Sequence, residues 1–409
     1  MESHKWNEND IRSTTQHDSS IRDVNLPVEP CHLWLHRLGE QDLSPRAEEL
    51  RGKLRTDLLV DKHDPDFSEK FIETGRQHGF VVVVNDEVRS EKFRQNYDVL
   101  SEVFSQKRTW LEQLGSPGLG KDDGYIPPET EISVSARAGD YQANVFQFIH
   151  RVASEKNTEI GDVVGEKLRH ATANILEVLY AEACDVSRGM ARGLEKKGFL
   201  SPEGTPVPED YFIQLMEDEV GRKSDLSLLR LTHCRSTHMG NRNVAGCTMS
   251  HTDLNAFTIL PAPTKEGLQI WYEDRNDSRN SGWVQLDAPS DRFAYIVNFA
   301  DQVDITTGGY LRSTPHRVVS PIGEDRYSII LFVGFQRNTE LATSKLISPF
   351  ENSPSRFEVE ASHRLPGQLL TAENYTDLRK LDIGLISPEE GRKSGMVSLE
   401  QVRYHEGER

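Results

Sequence analysis

His251 and Asp253 stand two residues apart in "HTDLNAFTILP", at the head of an apolar run. On an extended strand, side chains i and i+2 share a face, so an imidazole and a carboxylate would project together there. Such a pair can ligate a metal, serve as an acid/base couple, or sit at a solvated strand edge. With 14 histidines in 409 residues, about one His-x-Asp arises by chance, so the triplet alone selects none of these.

Downstream, "RSTPHRVVSP" places His316 at the start of a β-branched run. Two imidazoles and one carboxylate can occupy one face of an iron octahedron and leave three positions open. In "DRYSIILFVGF", Arg326 and Ser328 share a strand face by the same period of two. A guanidinium grips a carboxylate with two parallel hydrogen bonds, and a neighbouring hydroxyl adds a third. One sheet would thus present a metal triad and a carboxylate clamp. Other residues of the right type lack such company. His150 in "FIHRVAS" precedes the His-x-Asp pair and has no Arg-x-Ser strand after it, so it reads as structural. His233 in "LTHC" reads as a satisfied polar histidine rather than an outer support of the site. Cys31, Cys184, Cys234 and Cys247 form no C-x-x-C pair, which argues against both a disulfide framework and a zinc knuckle. Cys234 and Cys247 read as small core residues.

The elements that must position these groups change character along the chain. Phe67, Phe71 and Ile72 fall at helical spacing in a run that Gly79 ends, and "FVVVVND" (80–86) follows as a short buried strand. Phe93, Tyr97, Leu100, Val103 and Phe104 mark a second amphipathic helix, and Leu168 to Ala183 mark a long one over 165–198. "GSPGLGKDDGYIPP" (115–128) reads as a loop. From Ser227 onward, "SLLRLTHC", "AFTILP", "LQIWYED", "WVQLD", "RFAYIVNF", "HRVVS" and "RYSIILFVGF" recur between Gly, Pro, Asn and Asp. Short strands so spaced predict an antiparallel sandwich or jelly roll. The acidic stretch 273–281 reads as a solvated hairpin loop, and "LTAENYTDLRKL" as a helix packing back on the body.

Composition narrows the class. The net charge of −17 (65 acidic against 48 basic residues) repels phosphate backbones and argues against a nucleic-acid partner. No apolar run reaches 18 residues, and residues 1–20 are too polar for a signal peptide, so no membrane partner is expected. With so few cysteines, the expected location is a reducing cytoplasm.

His-Thr-Asp, then His-Arg-Val-Val, then Arg-x-Ser in this order resembles the isopenicillin N synthase-like family of iron- and 2-oxoglutarate-dependent dioxygenases. "EGLQIWYED" (266–274), "VNFADQVDITTGGYLRSTPHRVV" (297–319), "GRQHGFVVVVNDEV" (75–88) and "DGYIPPETE" (123–131) extend the resemblance over residues 55–340. It implies a mainly β fold with flanking helices, a double-stranded β-helix (jelly roll) core with a helical N-terminal region packed against it. The expected division is a polar, partly disordered arm over 1–54 and a C-terminal extension with a helix over 341–409, neither covered by the resemblance, around a helical region with one or more strands over 55–224 and the dioxygenase core over 225–340. The resemblance further implies Fe(II) on His251, Asp253 and His316, 2-oxoglutarate on Arg326 and Ser328, and dioxygen as co-reactant. The expected outcome is decarboxylation of 2-oxoglutarate to succinate, coupled to hydroxylation, desaturation or ring formation on a small organic molecule. A carboxylate at Asp253 leaves no room for the halide that related halogenases bind there.

The sequence departs from the family pattern where a tyrosine often touches the cosubstrate. Thr232 and Cys234 occupy those positions and become candidate pocket residues. Asn85–Asp86 replaces an Asn-His turn, and "FVGFQ" lacks a closing proline. The first departure keeps open an iron oxidase of the same fold that does not use 2-oxoglutarate. A non-catalytic jelly-roll binding protein is the third reading, and the complete ligand set argues against it.

Overall fold

A computed structural model describes residues 31–115, 124–127, 145–152, 162–236, 246–274, 277–319, 321–350, 354–365 and 367–382. Residues 1–30 of the expected arm, most of the loop expected over 115–128 and the stretch after Asp382 lie outside the described residues. In chain order, α1 (Cys31–Gly39), α2 (Ala47–Asp57), β1 (Leu59–Asp61), α3 (Phe67–His78), β2 (Phe80–Val84), α4 (Ser90–Phe104) and α5 (Arg108–Leu111) come first. β3 (Gly124–Ile126), β4 (Val145–Arg151), α6 (Val163–Lys196) and α7 (Tyr211–Met216) complete the N-terminal half. The β-rich stretch runs β5 (Leu228–Cys234), β6 (Gly246–His251), β7 (Phe257–Pro261), β8 (Leu268–Tyr272), β9 (Gly282–Gln285), β10 (Ala294–Phe299), α8 (Asp301–Thr306), β11 (His316–Val319) and β12 (Arg326–Val333). Helices α9 (Arg356–Arg364) and α10 (Ala372–Asp382) follow.

The strands sort into two sheets. The larger has the order β1-β2-β10-β7-β12-β5-β4-β3 and the smaller β6-β11-β8-β9. All pairings are antiparallel except β1 with β2. Sequence neighbours are split between sheets, as when β10, β11 and β12 alternate between them, and that alternation makes the double-stranded β-helix. Alternation along each strand of the larger sheet then separates two environments. Leu229, Leu231, Ile259, Val297, Ile329 and Leu331 join Ile175, Leu179 and Ala183 of α6 in the main apolar core. Arg230, Thr232, Thr258, Asn298, Arg326 and Phe332 instead line a cavity of about 100 Å³ between the sheets.

Helix α6 is the buttress of this arrangement. Asp162 caps it, accepting the Gly165 N–H at 2.8 Å, and it buries Leu168, Ile175, Leu179, Val186, Met190 and Leu194 on one stripe. Leu179→Ala should cost about 2–5 kcal/mol, the usual toll for emptying a fully buried leucine site. Urea unfolding should show it as a lower midpoint at unchanged slope. Gly79 ends α3 at φ 73°, in the left-handed region, and a Cβ there would collide with the Thr314 hydroxyl. The α3–β2 turn is thereby seated against the segment that leads into His316.

Several elements depart from the sequence expectations. α1 and most of α2 fall in the stretch read as a polar arm, burying Cys31, Leu35 and Leu38, and Leu50 and Leu54. Gly124–Ile126 is a strand where a loop was expected. β4, around the discounted His150, is a full member of the larger sheet beside β5, and His150 is buried there. β8 and β9, on either side of the 273–281 stretch, pair antiparallel, and Trp283 on β9 donates Nε1–H to Leu38 O at 2.9 Å.

Candidate active site

The three candidate ligands converge because the smaller sheet pairs β11 with β6 so that His316 faces His251 directly. Their ring centroids are 4.2 Å apart. β6 ends at His251, so Asp253 lies in the bend before β7 rather than on the strand as its spacing suggested. Its carboxylate still turns back to the pair: Asp253 Oδ1 is 3.5 Å from His251 Nε2 and 3.6 Å from His316 Nε2. Among the described residues this is the group of His, Cys, Asp and Glu side chains assembled to hold a metal ion, with ligand atoms within 4.8 Å of one another.

The surroundings of each ligand aim it inward. His251 Nδ1 lies 2.8 Å from Met249 O, and His316 Nδ1 lies 3.2 Å from Thr314 O. A carbonyl can only accept, so Nδ1 carries the proton on both rings and Nε2 presents its lone pair to the centre. Asp253 Oδ2 accepts from Thr258 Oγ1 at 2.6 Å and from Asn298 Nδ2 at 2.7 Å, which leaves Oδ1 for the centre. Outer partners of this kind fix ligand orientation and tune basicity. Burial, with the neighbouring His251, pushes the His316 imidazole down to about 4, so it is neutral and able to ligate at neutral pH. Burial alone would raise the Asp253 carboxyl, but the two imidazoles and Thr258 outweigh it and hold it well below the usual carboxylate range. Two neutral nitrogens and one carboxylate oxygen suit a divalent first-row metal such as Fe(II).

Across the cavity, Arg326 is 3% exposed. Its Nε donates to Lys265 O at 3.0 Å and its Nη1 to Ser328 Oγ. Burial lowers this guanidinium to about 10, so it stays charged at neutral pH. No carboxylate pairs with it among the described residues. A buried cation supported only by neutral acceptors is costly, and an incoming carboxylate would relieve that cost. Register places Thr232 opposite Ser328 and Cys234 opposite Arg326, so both face the cavity as candidate pocket residues.

Cys234 departs from its expectation in one respect. It forms a disulfide with Cys247, tying β5 of the larger sheet to β6 of the smaller one. Their spacing in sequence carries no sign of this, because the pairing depends on how the two sheets close over each other. Cysteine usage therefore no longer points to a reducing compartment. His233 has its Nε2 2.8 Å from Asp325 Oδ2 and its ring stacked on Tyr327.

Sequence reasoning did not single out Thr258, Asn298 or Arg230. The first two lie on β7 and β10 at positions whose alternation points into the cavity, a signal the strand pattern did contain. Arg230 also lines the cavity, its guanidinium 5.4 Å above the Phe332 ring.

A jelly roll carrying a His-x-Asp…His cluster and a buried arginine in one cavity is the architecture of a non-haem iron oxygenase. Residues 230–335 match the family model of the 2OG-Fe(II) oxygenase superfamily. The chain is 39% identical over 83 residues to the 2-oxoglutarate-dependent dioxygenase traH of Penicillium crustosum, a match covering 20% of this chain and 23% of that protein. It is 26% identical over 282 residues to the gibberellin 2-beta-dioxygenase of Phaseolus coccineus, covering 68% of this chain and 76% of that one. In fold it is similar to a full-length Neurospora crassa protein solved in complex with alpha-KG, at TM-score 0.59 and 17% identity over 79% of this chain and 95% of that one. These matches support the Fe(II)- and 2-oxoglutarate-dependent dioxygenase family for this chain, with residues 230–335 as its 2OG-Fe(II) oxygenase domain. The chain is an oxidoreductase whose cofactor is Fe(II) and whose cosubstrates are 2-oxoglutarate and dioxygen.

Proposed function

We propose that His251, Asp253 and His316 hold the Fe(II), that Arg326 and Ser328 receive the distal carboxylate of 2-oxoglutarate, and that the chain oxidises a small organic molecule by hydroxylation, desaturation or ring formation. The observation that carries the reading is the pairing of two incomplete groups in one cavity: three inward-facing metal ligands, and a buried guanidinium without a carboxylate among the described residues. Bound Fe(II) with 2-oxoglutarate supplies the oxidising chemistry, with succinate and carbon dioxide as products of the cosubstrate. The chain's own residues bind and orient. The imidazoles keep their protons on Nδ1, Thr258 and Asn298 keep Asp253 Oδ1 turned inward, and Arg326 sets the direction from which the cosubstrate enters. Asp253 fills the position a halide would need, which supports oxidation over halogenation. Arg230, on the cavity face beside Phe332, is the residue we assign to the prime substrate. We also place the catalytic unit at residues 225–340. The strongly acidic net charge supports a small molecule over a nucleic acid as the substrate.

The test is dioxygen uptake by the purified chain with Fe(II). Uptake should require 2-oxoglutarate and should release succinate slowly even before a prime substrate is supplied. Equal uptake without 2-oxoglutarate would replace this reading with an oxidase, and no uptake or succinate under any combination would favour a binding protein. Among the described residues no helix is long and apolar enough to cross a membrane.

A further inference from the structure

One buried carboxylate touches both segments that carry the candidate ligands. Asp301 opens α8 and is fully buried. Its backbone N–H donates to Asp253 O at 2.9 Å. Its Oδ1 accepts from Ser313 Oγ at 2.6 Å, three residues before His316, and its Oδ2 accepts from Thr252 Oγ1 at 3.5 Å, between His251 and Asp253. Asp304 adds a second hold on the same segment, its Oδ2 accepting the Ser313 N–H at 2.9 Å.

This carboxylate is in turn held from the C-terminal segment. Tyr375 OH on α10 donates to Asp301 Oδ2 at 2.8 Å, and Arg379 Nε, one helical turn on, lies 3.1 Å from the same oxygen. Arg379 Nη2 also reaches Thr252 Oγ1 directly, at 3.0 Å. Arg379, Tyr375 and Thr252 are all at most 3% exposed. Helix α10 lies beyond the residues matched by the family model. A buried ion pair is weak evidence of a stability role, because packed apolar side chains of similar volume serve as well or better. What such a pair does supply is fixed direction, and here the directions end on the backbone of one ligand and the segments bearing the other two.

We propose that Arg379 and Tyr375 of α10 are positioning residues for the metal centre, acting through Asp301 and Thr252 to hold the 251–253 and 313–316 segments at ligating distance. The proposal rests on the assignment of His251, Asp253 and His316 as metal ligands. It makes α10 part of the metal site's scaffold.

Titration of the full apo chain with Co(II) separates the two claims, with the visible circular dichroism of the bound ion and the melting temperature of the apo chain as further readouts. The wild-type chain should bind one Co(II); failure to bind sinks the ligand assignment itself. Arg379→Met should raise the Co(II) Kd by about tenfold, the lower end for loss of an outer support, and alter the Co(II) dichroism. Arg379→Lys, which keeps the charge but only one point of contact, should recover part of that loss. An Arg379→Met chain that is folded and binds Co(II) within twofold of wild type, whatever its melting temperature, overturns the proposal. Should Arg379→Met fail to fold, Tyr375→Phe decides, since it deletes one hydroxyl. A Kd raised about threefold supports the proposal and an unchanged Kd overturns it.

Discussion

Asp253→Ala should yield a folded chain that neither retains Fe(II) nor turns over. Asp253 is the one anionic donor of the candidate triad, and Oδ1 is the atom turned toward both imidazoles. Without it, two neutral nitrogens remain, and the metal would have to be held without any charge neutralisation by the protein. The affinity loss should exceed the roughly 10–100-fold expected when only an outer partner is removed. Thr258→Val provides that comparison, because it deletes the hydroxyl that anchors Asp253 Oδ2 while leaving every ligand in place. The cost to stability should be modest, about 1–3 kcal/mol, as Thr258 and Asn298 lose their acceptor. Iron content per chain after gel filtration, read with succinate release, checks both statements. A folded Asp253→Ala chain with full iron and full turnover would remove Asp253 from the site.

How much of this was legible in the sequence depends on whether the signal was local. β2, β5, β7, β10 and β12 of the larger sheet announced themselves because they lie between the main core and the cavity, which leaves β-branched and apolar residues in short runs, as in "FVVVV" and "SIILFV". β6 did not, since "GCTMSH" carries no apolar run. β4 was hidden for another reason: its "HRV" drew attention as a possible ligand motif and away from its place beside β5. The candidate triad was readable because residue type and spacing survive in the linear chain, and the candidate Arg326/Ser328 pair because period two puts both on one face. What holds the triad was not readable. Asp301, Tyr375 and Arg379 meet only after α10 folds back over α8, and no period links them. The Cys234–Cys247 bond is of the same kind, set by closure of one sheet on the other.

Arg326→Leu should abolish useful 2-oxoglutarate binding while leaving the metal centre intact. The guanidinium is buried and charged, its Nε is spent on Lys265 O, and Ser328 Oγ accepts from Nη1. The remaining N–H groups are what a distal carboxylate would meet. Truncating one side of a buried charge-assisted pair costs about 2–5 kcal/mol. At about 1.4 kcal/mol per decade that is a 2-oxoglutarate Kd raised roughly 30-fold to several thousand-fold. Ser328→Ala removes a single hydroxyl and should cost about 1–2 kcal/mol, so the two effects should be unequal in a fixed order. The folded chain itself should not suffer. Leucine replaces a cation that has no carboxylate partner among the described residues, so the melting temperature of the ligand-free variant should match or exceed the wild type. Isothermal titration of 2-oxoglutarate into the Mn(II)-loaded chain under anaerobic conditions reads the affinity directly, and the Mn(II) Kd serves as the control. Loss of both affinities would mean that Arg326 supports the fold of the whole cavity. Loss of neither would place the clamp elsewhere, and Arg230 is then the guanidinium on the same cavity face to test next.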